Sequence, residues 1–340
     1  MSITAIRHAR LIAALPDPAS PFLFYLPIPE TIAMSHTDTD STLRGSDLLG
    51  APFDSESTLG WPGSRYAPQK VREAIRWINM RIQDGQIYQL EDDTIHTVGN
   101  DLLRDLGDLS VLPKDTEATF RTISDAVGAS LQRGRSPIVI GGDDSLLFPV
   151  ARGVHDALPG RIGIIHFDAH LDLMDESAKQ GRYSQSSGMR RSLEMARVDY
   201  ADCIQLCERH FNFPASGRFK HEHGLAHISA REAIRLGAAA TVQRALEHVA
   251  GADHLFLSFD IDAIDPAHAP GCGAHEPGGI SSDQALEMVE LLAPHCAAMA
   301  ITEVNPMLDV RDTTATLAAY LAFTFAVAGR NPVRRRAVAG

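Results

Sequence analysis

Three side chains that could bind a metal ion follow a short apolar run in the middle of the chain. Asp168, His170 and Asp172 stand at i, i+2 and i+4, after the run that begins at Ile162. In an extended chain these three side chains would share one face. Two carboxylates and an imidazole at the end of a buried strand are costly unless a positive charge neutralises them. A divalent cation does so with oxygen and nitrogen ligands, although this stretch alone also fits a solvated turn.

A second apolar run ends in carboxylates in the same way. Asp260 and Asp262 stand at i and i+2 after residues 255–259, and Asp265 with Pro266 then predicts a turn. Each of the two strand ends carries paired metal-binding side chains. Together they indicate a carboxylate-rich site with room for two metal ions.

Further short motifs agree with the two strand ends. With them, the chain is similar to the ureohydrolase superfamily, that of arginase and agmatinase. The matching motifs stand at residues 168–172 (DAHLD), 258–266 (SFDIDAIDP), 141–145 (GGDDS), 52–54 (PFD), 62–66 (PGSRY), 276–279 (EPGG) and 303–306 (EVNP). They run from about residue 47 to about residue 328, which is nearly the whole chain after its first segment.

The resemblance implies a reaction, a cofactor and a set of site residues. The reaction is hydrolysis of a guanidino or amidino C–N bond, with two divalent cations, manganese or nickel, that lower the pKa of a water molecule. The implied metal ligands are Asp144, Asp168, His170, Asp172, Asp260 and Asp262. Asp168 and Asp260 would bridge the ions, and Glu303 would face the guanidinium as a charge-assisted acceptor.

Two positions depart from the family pattern. Asp144 stands where the family has a histidine ligand of the first metal, and Gln185 stands at the catalytic position of a proton-shuttling histidine. The extra carboxylate makes the ligand shell more anionic, which reduces the Lewis acidity of the metals and favours harder ions. We therefore expect a first site that is weakly occupied or empty. Gln185 can hydrogen-bond but cannot titrate, and general acid–base help is typically worth about 10²–10⁴ in rate.

Three functions are compatible with these residues. The first is an active, agmatinase-like hydrolase with an altered first metal site. The second is a catalytically degenerate subunit that scaffolds or regulates an active paralogue, as in hydrolases of guanidine derivatives or biguanides (metformin-type) built from two unlike subunits. The third is an Asp-x-Asp phosphotransfer enzyme with magnesium, which would need a Lys and a Ser/Thr at neighbouring strand ends, and the sequence shows no such set.

The substrate and the assembly remain open at this point. In the family, loops select the substrate by contacting the end that lies away from the guanidino group. The corresponding loops here are residues 207–223 and 268–277, and their sequences are particular to this chain. Arg209 in the first loop would suit a substrate carboxylate, although such a residue is also common on surfaces. The resemblance also implies an oligomer, either a trimer or hexamer of this chain or a hetero-oligomer with a paralogous subunit.

Composition indicates a soluble globular protein. The chain has 340 residues, 44% of them hydrophobic, and a formal net charge of −12, which argues against nucleic acid or anionic membrane as a partner. No apolar run approaches the roughly 20 residues of a membrane span. The four cysteines, at 203, 207, 272 and 296, show neither zinc-pair spacing nor a secreted disulfide framework. We therefore expect a reducing, cytoplasmic compartment.

Apolar strands alternate with helical patterns along most of the chain. Strands are predicted at 48–51, 137–140, 162–168, 203–207, 255–260 and 297–304, with further short strand candidates at 96–98 and in the stretch that ends at residue 108. Helices are predicted at 68–80, 116–131, 229–237, 240–250, 283–292 and 313–328. This alternation predicts a mostly parallel sheet in a single three-layer α/β/α domain, as the arginase-like resemblance also implies. We divide the chain into an arm at 1–46, either flexible or packed on a neighbouring subunit, a catalytic-fold domain at 47–330 and a tail at 331–340.

Overall fold

The structure is a computed structural model that describes residues 44–54, 60–99 and 101–333. The predicted arm at 1–46 lies almost entirely outside the described residues, so its two interpretations stay predictions, as does the division into arm, domain and tail. Within the described part of the chain, no helix is long and apolar enough to cross a membrane.

A parallel sheet of eight strands forms the centre of the fold. These strands are β1 (Ser46–Gly50), β4 (Leu103–Asp108), β5 (Ser136–Ile140), β6 (Ile162–Phe167), β7 (Cys203–Leu206), β8 (Ala226–Ile228), β9 (His254–Asp260) and β10 (Cys296–Thr302). Their order in the sheet is β4-β1-β5-β10-β9-β6-β7-β8, and each neighbouring pair is parallel. Strands β2 (Gln86–Gln89) and β3 (Thr94–Thr97) form a separate antiparallel hairpin.

Helices cover both faces of the sheet. They are α1 (Ala67–Asn79), α2 (Thr116–Gln132), α3 (Leu147–Ala157), α4 (Gly188–Leu193), α5 (Pro214–His223), α6 (Ala230–Leu236), α7 (Ala238–His248), α8 (Ser282–Leu292) and α9 (Thr313–Gly329). Apolar side chains of α2, α3 and α4 pack in one core, and those of α1 and α6 to α9 pack in the other. The predicted three-layer α/β/α arrangement is confirmed.

Strand β6 shows why the central strands are continuous apolar runs in sequence. Successive side chains of a strand point to opposite faces of the sheet. Ile162 and Ile164 therefore enter the core with α2 to α4, whereas Ile165 and Phe167 enter the other core. All four side chains are fully buried, because helices cover both faces. The four cysteines are likewise buried, and none of them forms a disulfide bond in the described part of the chain.

The predicted helices and central strands are present, and their ends differ by at most two residues from the prediction. Ser281 and Gln284 form a capping box at the start of α8. Ser281 Oγ accepts from the Gln284 N–H at 3.1 Å, and Gln284 Oε1 accepts from the Ser281 N–H at 3.2 Å. The predictions omit α3, α4, α5, β2 and β8. Pro149 interrupts the helical pattern of α3, and the three residues of β8 are too few to show alternation.

Candidate metal centre

Four adjacent strands bring the predicted site residues to one edge of the sheet. β5, β10, β9 and β6 are neighbours in that order and run in parallel, so their carboxyl ends meet. Asp144 follows β5, Glu303 follows β10, Asp260 ends β9 and Asp168 follows β6. Residues that lie as far apart as 159 positions in the chain therefore contact one another.

The loop after β6 does not have the extended geometry that the sequence predicts. β6 ends at Phe167, so Asp168, His170 and Asp172 lie in a loop and not on one face of a strand. Asp168 Oδ1 accepts from the His170 N–H at 2.6 Å, and Asp172 has a φ of 48°, in the left-handed region. The predicted reason for their convergence is therefore wrong. A turn, and not strand alternation, brings these side chains together.

The loop after β9 departs from the prediction in the same way. β9 ends at Asp260, and Asp262 lies in a 3-10 turn at Ile261–Ala263, not on the strand. Asp260 Oδ1 accepts from the Asp262 N–H at 2.8 Å, and Asp262 Oδ1 accepts from the Ala169 N–H at 2.8 Å. The second hydrogen bond joins the two carboxylate-bearing loops and leaves Oδ2 of Asp262 to face His170.

A cleft of about 210 Å³ opens at this edge of the sheet. Seven of the eight predicted site residues line it: Asp144, His170, Asp172, Gln185, Asp260, Asp262 and Glu303. The eighth, Asp168, is fully buried, and its Oδ1 lies 3.3 Å from His170 Nδ1. The structure thus brings all eight residues together, while their individual roles stay predictions.

His170 lies between two carboxylates. Its Nδ1 is 2.9 Å from Asp262 Oδ2 and 3.3 Å from Asp168 Oδ1. Burial lowers the pKa of His170, but the two carboxylates outweigh burial and raise that pKa to about 12. Without a metal ion, the imidazolium of His170 therefore supplies positive charge to this side of the cleft.

Glu303 is held in a backbone conformation that L-residues rarely adopt. Its φ is 60°, and its N–H donates to the carbonyl oxygen of Gly142 at 2.9 Å. Its Oε1 accepts from the backbone N–H of Asp144 at 2.9 Å. Left-handed non-glycine residues persist where the surroundings enforce them, and they concentrate at functional sites. These contacts fix the Glu303 carboxylate beside the loop that carries Asp144.

A histidine that the sequence analysis does not single out also contacts the site. His166 lies on β6, is fully buried and precedes Asp168 by two residues. Its Nε2 is 3.2 Å from Asp168 Oδ2 and 3.6 Å from Asp144 Oδ2. Within the described residues, neither of its ring nitrogens has a partner with hydrogen-bond geometry. The available sequence signal was a histidine inside an otherwise apolar strand.

The carboxylates of the cleft disfavour one another's ionisation. Burial raises the pKa of Asp172, Asp260 and Glu303 well above the ordinary range, and neighbouring carboxylates raise it further. Burial also acts on Asp168, but its two histidine neighbours outweigh burial and lower the pKa of that carboxyl. A cation in the cleft would favour the charged form of every one of these groups.

Buried atoms without partners show where a cation fits. Oδ2 of Asp144, Asp168 and Asp262 is buried and lies within 4 Å of a histidine nitrogen, but none of the three atoms has a partner with hydrogen-bond geometry in the described part of the chain. Three groups of side chains have possible ligand atoms within 4.8 Å of one another: Asp144–His166–Asp168, Asp168–His170–Asp262 and Asp260–Asp262–Cys272. Because adjacent groups share Asp168 or Asp262, the donor set fits two neighbouring divalent cations with mainly oxygen ligands.

Comparison with known proteins identifies the family. A model of the arginase family matches residues 45–328. The chain belongs to the arginase family. Its match covers the whole sheet and every residue of the candidate site.

Three relatives of this arginase-family chain illustrate the similarity. Guanidinopropionase of Pseudomonas aeruginosa is 31% identical over 289 residues, 84% of this chain and 86% of the relative. Formimidoylglutamase of Bacillus subtilis is 31% identical over 286 residues, and its crystal structure superposes with a TM-score of 0.75 at 28% identity, covering 90% of this chain and 97% of that one. A Trypanosoma cruzi formiminoglutamase solved with Mn²⁺ shares the fold, with a TM-score of 0.74 at 23% identity and coverage of 85% and 95%.

Gln185 lines the cleft of this arginase-family chain. It begins the 3-10 turn Gln185–Ser187, which is fixed by a capping box between Ser184 and Ser187. Its Oε1 is buried without a hydrogen-bond partner among the described residues. The amide is therefore available to hydrogen-bond a ligand in the cleft, but it has no group that titrates.

Arg209 of this arginase-family chain binds backbone carbonyls. Its Nη2 donates to the carbonyl oxygens of Asp262 and Glu276, both at 2.6 Å. Its Nη1 donates to the carbonyl oxygens of Cys207 and Ala263 at 3.2 and 3.3 Å. Because these carbonyls use the guanidinium donors, the interpretation of Arg209 as a ligand for a substrate carboxylate is not supported. Arg209 instead joins three loops that surround the cleft.

Proposed function

We propose that this chain is a metal-dependent hydrolase of a guanidino or amidino C–N bond, with an agmatinase-like reaction. The observation that carries the proposal is the pair of overlapping carboxylate–imidazole groups in one cleft that Glu303 also lines. The guanidinopropionase relative, at 31% identity, supports this class of reaction.

Two divalent cations are the proposed cofactor. Asp144 and Asp172 would hold the first ion, His170 and Asp262 would hold the second, and Asp168 and Asp260 would contact both. When bound, the ions would supply a water molecule that is acidic enough to react near neutral pH. The Mn²⁺ of the Trypanosoma cruzi relative favours manganese, with nickel as the alternative. A weakly held first ion stays a prediction.

Glu303 would orient the substrate. Its Oε1 already accepts from the Asp144 N–H, which leaves Oε2 for an N–H of the guanidinium group. A cationic guanidinium beside this carboxylate would lower the raised pKa of Glu303 and keep it ionised. Holding the planar guanidinium in one orientation reduces the entropy lost on the way to the transition state.

Gln185 can take part in the reaction only as a hydrogen-bonding group, because it cannot transfer the proton that the leaving amine requires. Hydrolysis adds water to the guanidino carbon, breaks one C–N bond and gives urea and an alkylammonium ion, so a water proton ends on the leaving amine. Gln185 can hydrogen-bond this amine but cannot deliver the proton. We propose that the proton passes directly from the adding water, at a rate about 10²–10⁴ below that with a titratable group at this position.

The lining of the cleft favours a substrate without a carboxylate. Within the described residues, His170 is the one basic side chain that lines it. Met174 and Phe213 provide apolar surface, and Asn212 and Ser216 are neutral. A guanidino acid would therefore lack a cationic partner for its acid group. We propose a small alkylguanidine or biguanide cation whose tail lies against Met174 and Phe213.

Asp144 and Gln185 also favour a second candidate function. Both positions have lost a titratable imidazole that the family pattern provides, while the fold and the remaining carboxylates are kept. Such a chain could serve as a degenerate partner subunit in a hetero-oligomeric hydrolase of guanidine derivatives or biguanides. The first candidate instead predicts a homo-oligomer with its own activity.

Turnover by the purified chain tests the first candidate. The chain, loaded with Mn²⁺ or Ni²⁺, would be assayed for urea and amine release from arginine, agmatine, 3-guanidinopropionate, alkylguanidines and biguanides. We expect release from a cationic substrate, and a loss of about 10²-fold or more in Glu303→Gln, since that change removes a charged contact to the reacting group. Glu287→Gln, an exposed change on α8, is the matched control and should keep full activity.

The same assay on a complex with a co-expressed paralogue separates the two candidates. Activity that appears only in the complex, and persists when Asp260→Asn is present in this chain alone, supports the partner role. Activity of the isolated chain that Asp260→Asn abolishes supports catalysis by the chain itself. Absence of activity in both preparations, across the whole panel, contradicts both candidates.

A further inference from the structure

We propose that His166 is an imidazole ligand of the first metal ion and takes the place of the histidine that is missing at position 144. The proposal rests on the metal-dependent function proposed above. It specifies how this chain, with its own residues, completes the first site.

The interatomic distances around His166 match those within a metal shell. Nε2 lies 3.2 Å from Asp168 Oδ2 and 3.6 Å from Asp144 Oδ2. Two ligand atoms that are each about 2.0–2.2 Å from one ion, with a bond angle of about 90–110°, are about 2.8–3.6 Å apart. A distance of 3.6 Å is too long for a hydrogen bond. One ion could therefore contact all three atoms with little movement of the side chains.

The hydrogen-bonding state of these atoms points to the same ligand. His166 is 0% exposed, and among the described residues neither of its ring nitrogens has a partner with hydrogen-bond geometry, although Nε2 lies within ion-pair distance of Asp168. Asp144 Oδ2 and Asp168 Oδ2 are buried and lack a partner with that geometry as well. A buried imidazole with a purely structural role normally donates to a carbonyl or carboxylate. A cation would satisfy one nitrogen and two oxygens at once.

The orientation of the Asp144 side chain explains how Asp144 and His166 could together replace the single histidine ligand that the family pattern has at position 144. Asp144 Oδ1 accepts from Thr302 Oγ1 at 2.7 Å, and its backbone N–H donates to Glu303 at 2.9 Å. These two bonds fix the side chain so that Oδ2 is the atom nearest His166. The nitrogen ligand would then come from strand β6 instead of the loop after β5, and the first ion would keep one imidazole in its shell.

Metal binding to His166→Gln tests the proposal directly. The chain would be stripped of metal and titrated with Mn²⁺, with bound ions per chain counted by elemental analysis. We expect the affinity for the first ion to fall at least about 10-fold. Substitution of residues that only hydrogen-bond to a metal ligand already causes a loss of about this size, and loss of a ligand should cost at least as much. His155→Gln, which alters a histidine on α3 outside the site, is the matched control and should bind as the unaltered chain does.

A spectroscopic measurement covers the case in which His166→Gln fails to fold. Pulsed electron paramagnetic resonance of the Mn²⁺-loaded chain detects nitrogen atoms bonded to the ion. In His170→Asn, the second-site imidazole is absent, so a remaining nitrogen coupling comes from His166. We expect that coupling to persist in His170→Asn. We also expect Asp144→His, added to His166→Gln, to restore the affinity for the first ion.

The outcomes separate this proposal from the proposed function. Unchanged two-ion binding by His166→Gln, or loss of all nitrogen coupling in His170→Asn while the first ion stays bound, overturns the His166 assignment and leaves the metal-dependent function standing. An unaltered chain that binds no divalent ion overturns both. Weakened first-site binding together with persistent nitrogen coupling supports the assignment.

Discussion

At the scale of single residues, position 144 sets the charge of the first metal site. Asp144, Asp168, Asp172, Asp260 and Asp262 give the proposed shell five carboxylates around two dications. Asp144→His would remove one negative charge and place an imidazole on the loop after β5. We expect the affinity for the first ion to rise about 10-fold, because three carboxylates instead of four would then share the first site and repel one another less. Titration calorimetry with Mn²⁺ measures the change.

Asp144→Asn is the control that separates charge from ligation, since it removes the charge without adding a nitrogen ligand. A gain only in the histidine variant assigns the effect to the ligand, and a gain in both assigns it to charge. Two tightly held ions in the unaltered chain, with no gain in either variant, contradict the expectation of a weak first site.

The residue scale also shows where sequence reasoning succeeds and where it stops. Motif positions predict the eight residues that the structure brings together, because the motif fixes residue type and order along the chain. Asp172 shows the limit, since its φ of 48° belongs to a turn that strand periodicity does not predict. His166 shows another, because a histidine within an apolar strand has no assigned role until its distances to Asp144 and Asp168 are known.

At the scale of secondary-structure elements, Arg209 fixes the loops that carry the site. Its guanidinium donates to carbonyls of the loops after β7 and β9 and of the segment before α8. Arg209→Lys keeps the charge but replaces a planar set of five N–H donors by one ammonium group, which cannot reach all these carbonyls. We expect a loss of about 1–3 kcal/mol of stability and weaker binding of the second ion, measured by thermal unfolding and metal titration.

Arg235→Lys is a matched control, because Arg235 is exposed on α6 and lines, together with Arg209 and His210, a second cleft on the surface. It should change neither measurement. Equal effects of the two substitutions would show that the carbonyl contacts of Arg209 do not hold the loops in place.

The elements themselves follow from the sequence to different degrees. β6 and β9 are predictable because burial on both faces leaves an uninterrupted apolar run. α8 is predictable from its capping box and its apolar stripe. The loops between them are not, because their conformations depend on partners distant in sequence, such as the bond from the Ala169 N–H to Asp262.

At the scale of the whole molecule, the metal-free protein should lose stability as pH rises from about 5 to about 9. Asp172, Asp260 and Glu303 have folded pKa values above their unfolded values of about 4, so ionisation disfavours the folded state as pH rises. Burial lowers the pKa of His166, but the Asp144 and Asp168 carboxylates outweigh burial and raise that pKa to about 10, and the pKa of His170 is raised to about 12. Their contribution to stability is full below about pH 6.5 and is lost as pH rises through the folded values.

Thermal unfolding between pH 5 and pH 9, with and without Mn²⁺, measures this dependence. The metal-free midpoint should fall across the range, and saturating Mn²⁺ should flatten the curve, since the ion favours the ionised carboxylates. The lowered pKa of Asp168 acts in the opposite direction, but only at more acidic pH. A metal-free midpoint that rises with pH would contradict this account of the cleft.

The order of strands has a consequence for biosynthesis. β10, the last strand along the described chain, lies at the centre of the sheet between β5 and β9. On the ribosome, β5 and β9 emerge before β10, so their inner edges stay unpaired until residue 302 has been made. Unpaired apolar edges attract other chains. A nascent or truncated chain that ends before β10 would therefore consist of two half-sheets, β4-β1-β5 and β9-β6-β7-β8, each with one unpaired inner edge that is prone to aggregation. Correct folding during synthesis requires that these two edges do not pair with other chains before β10 has been made.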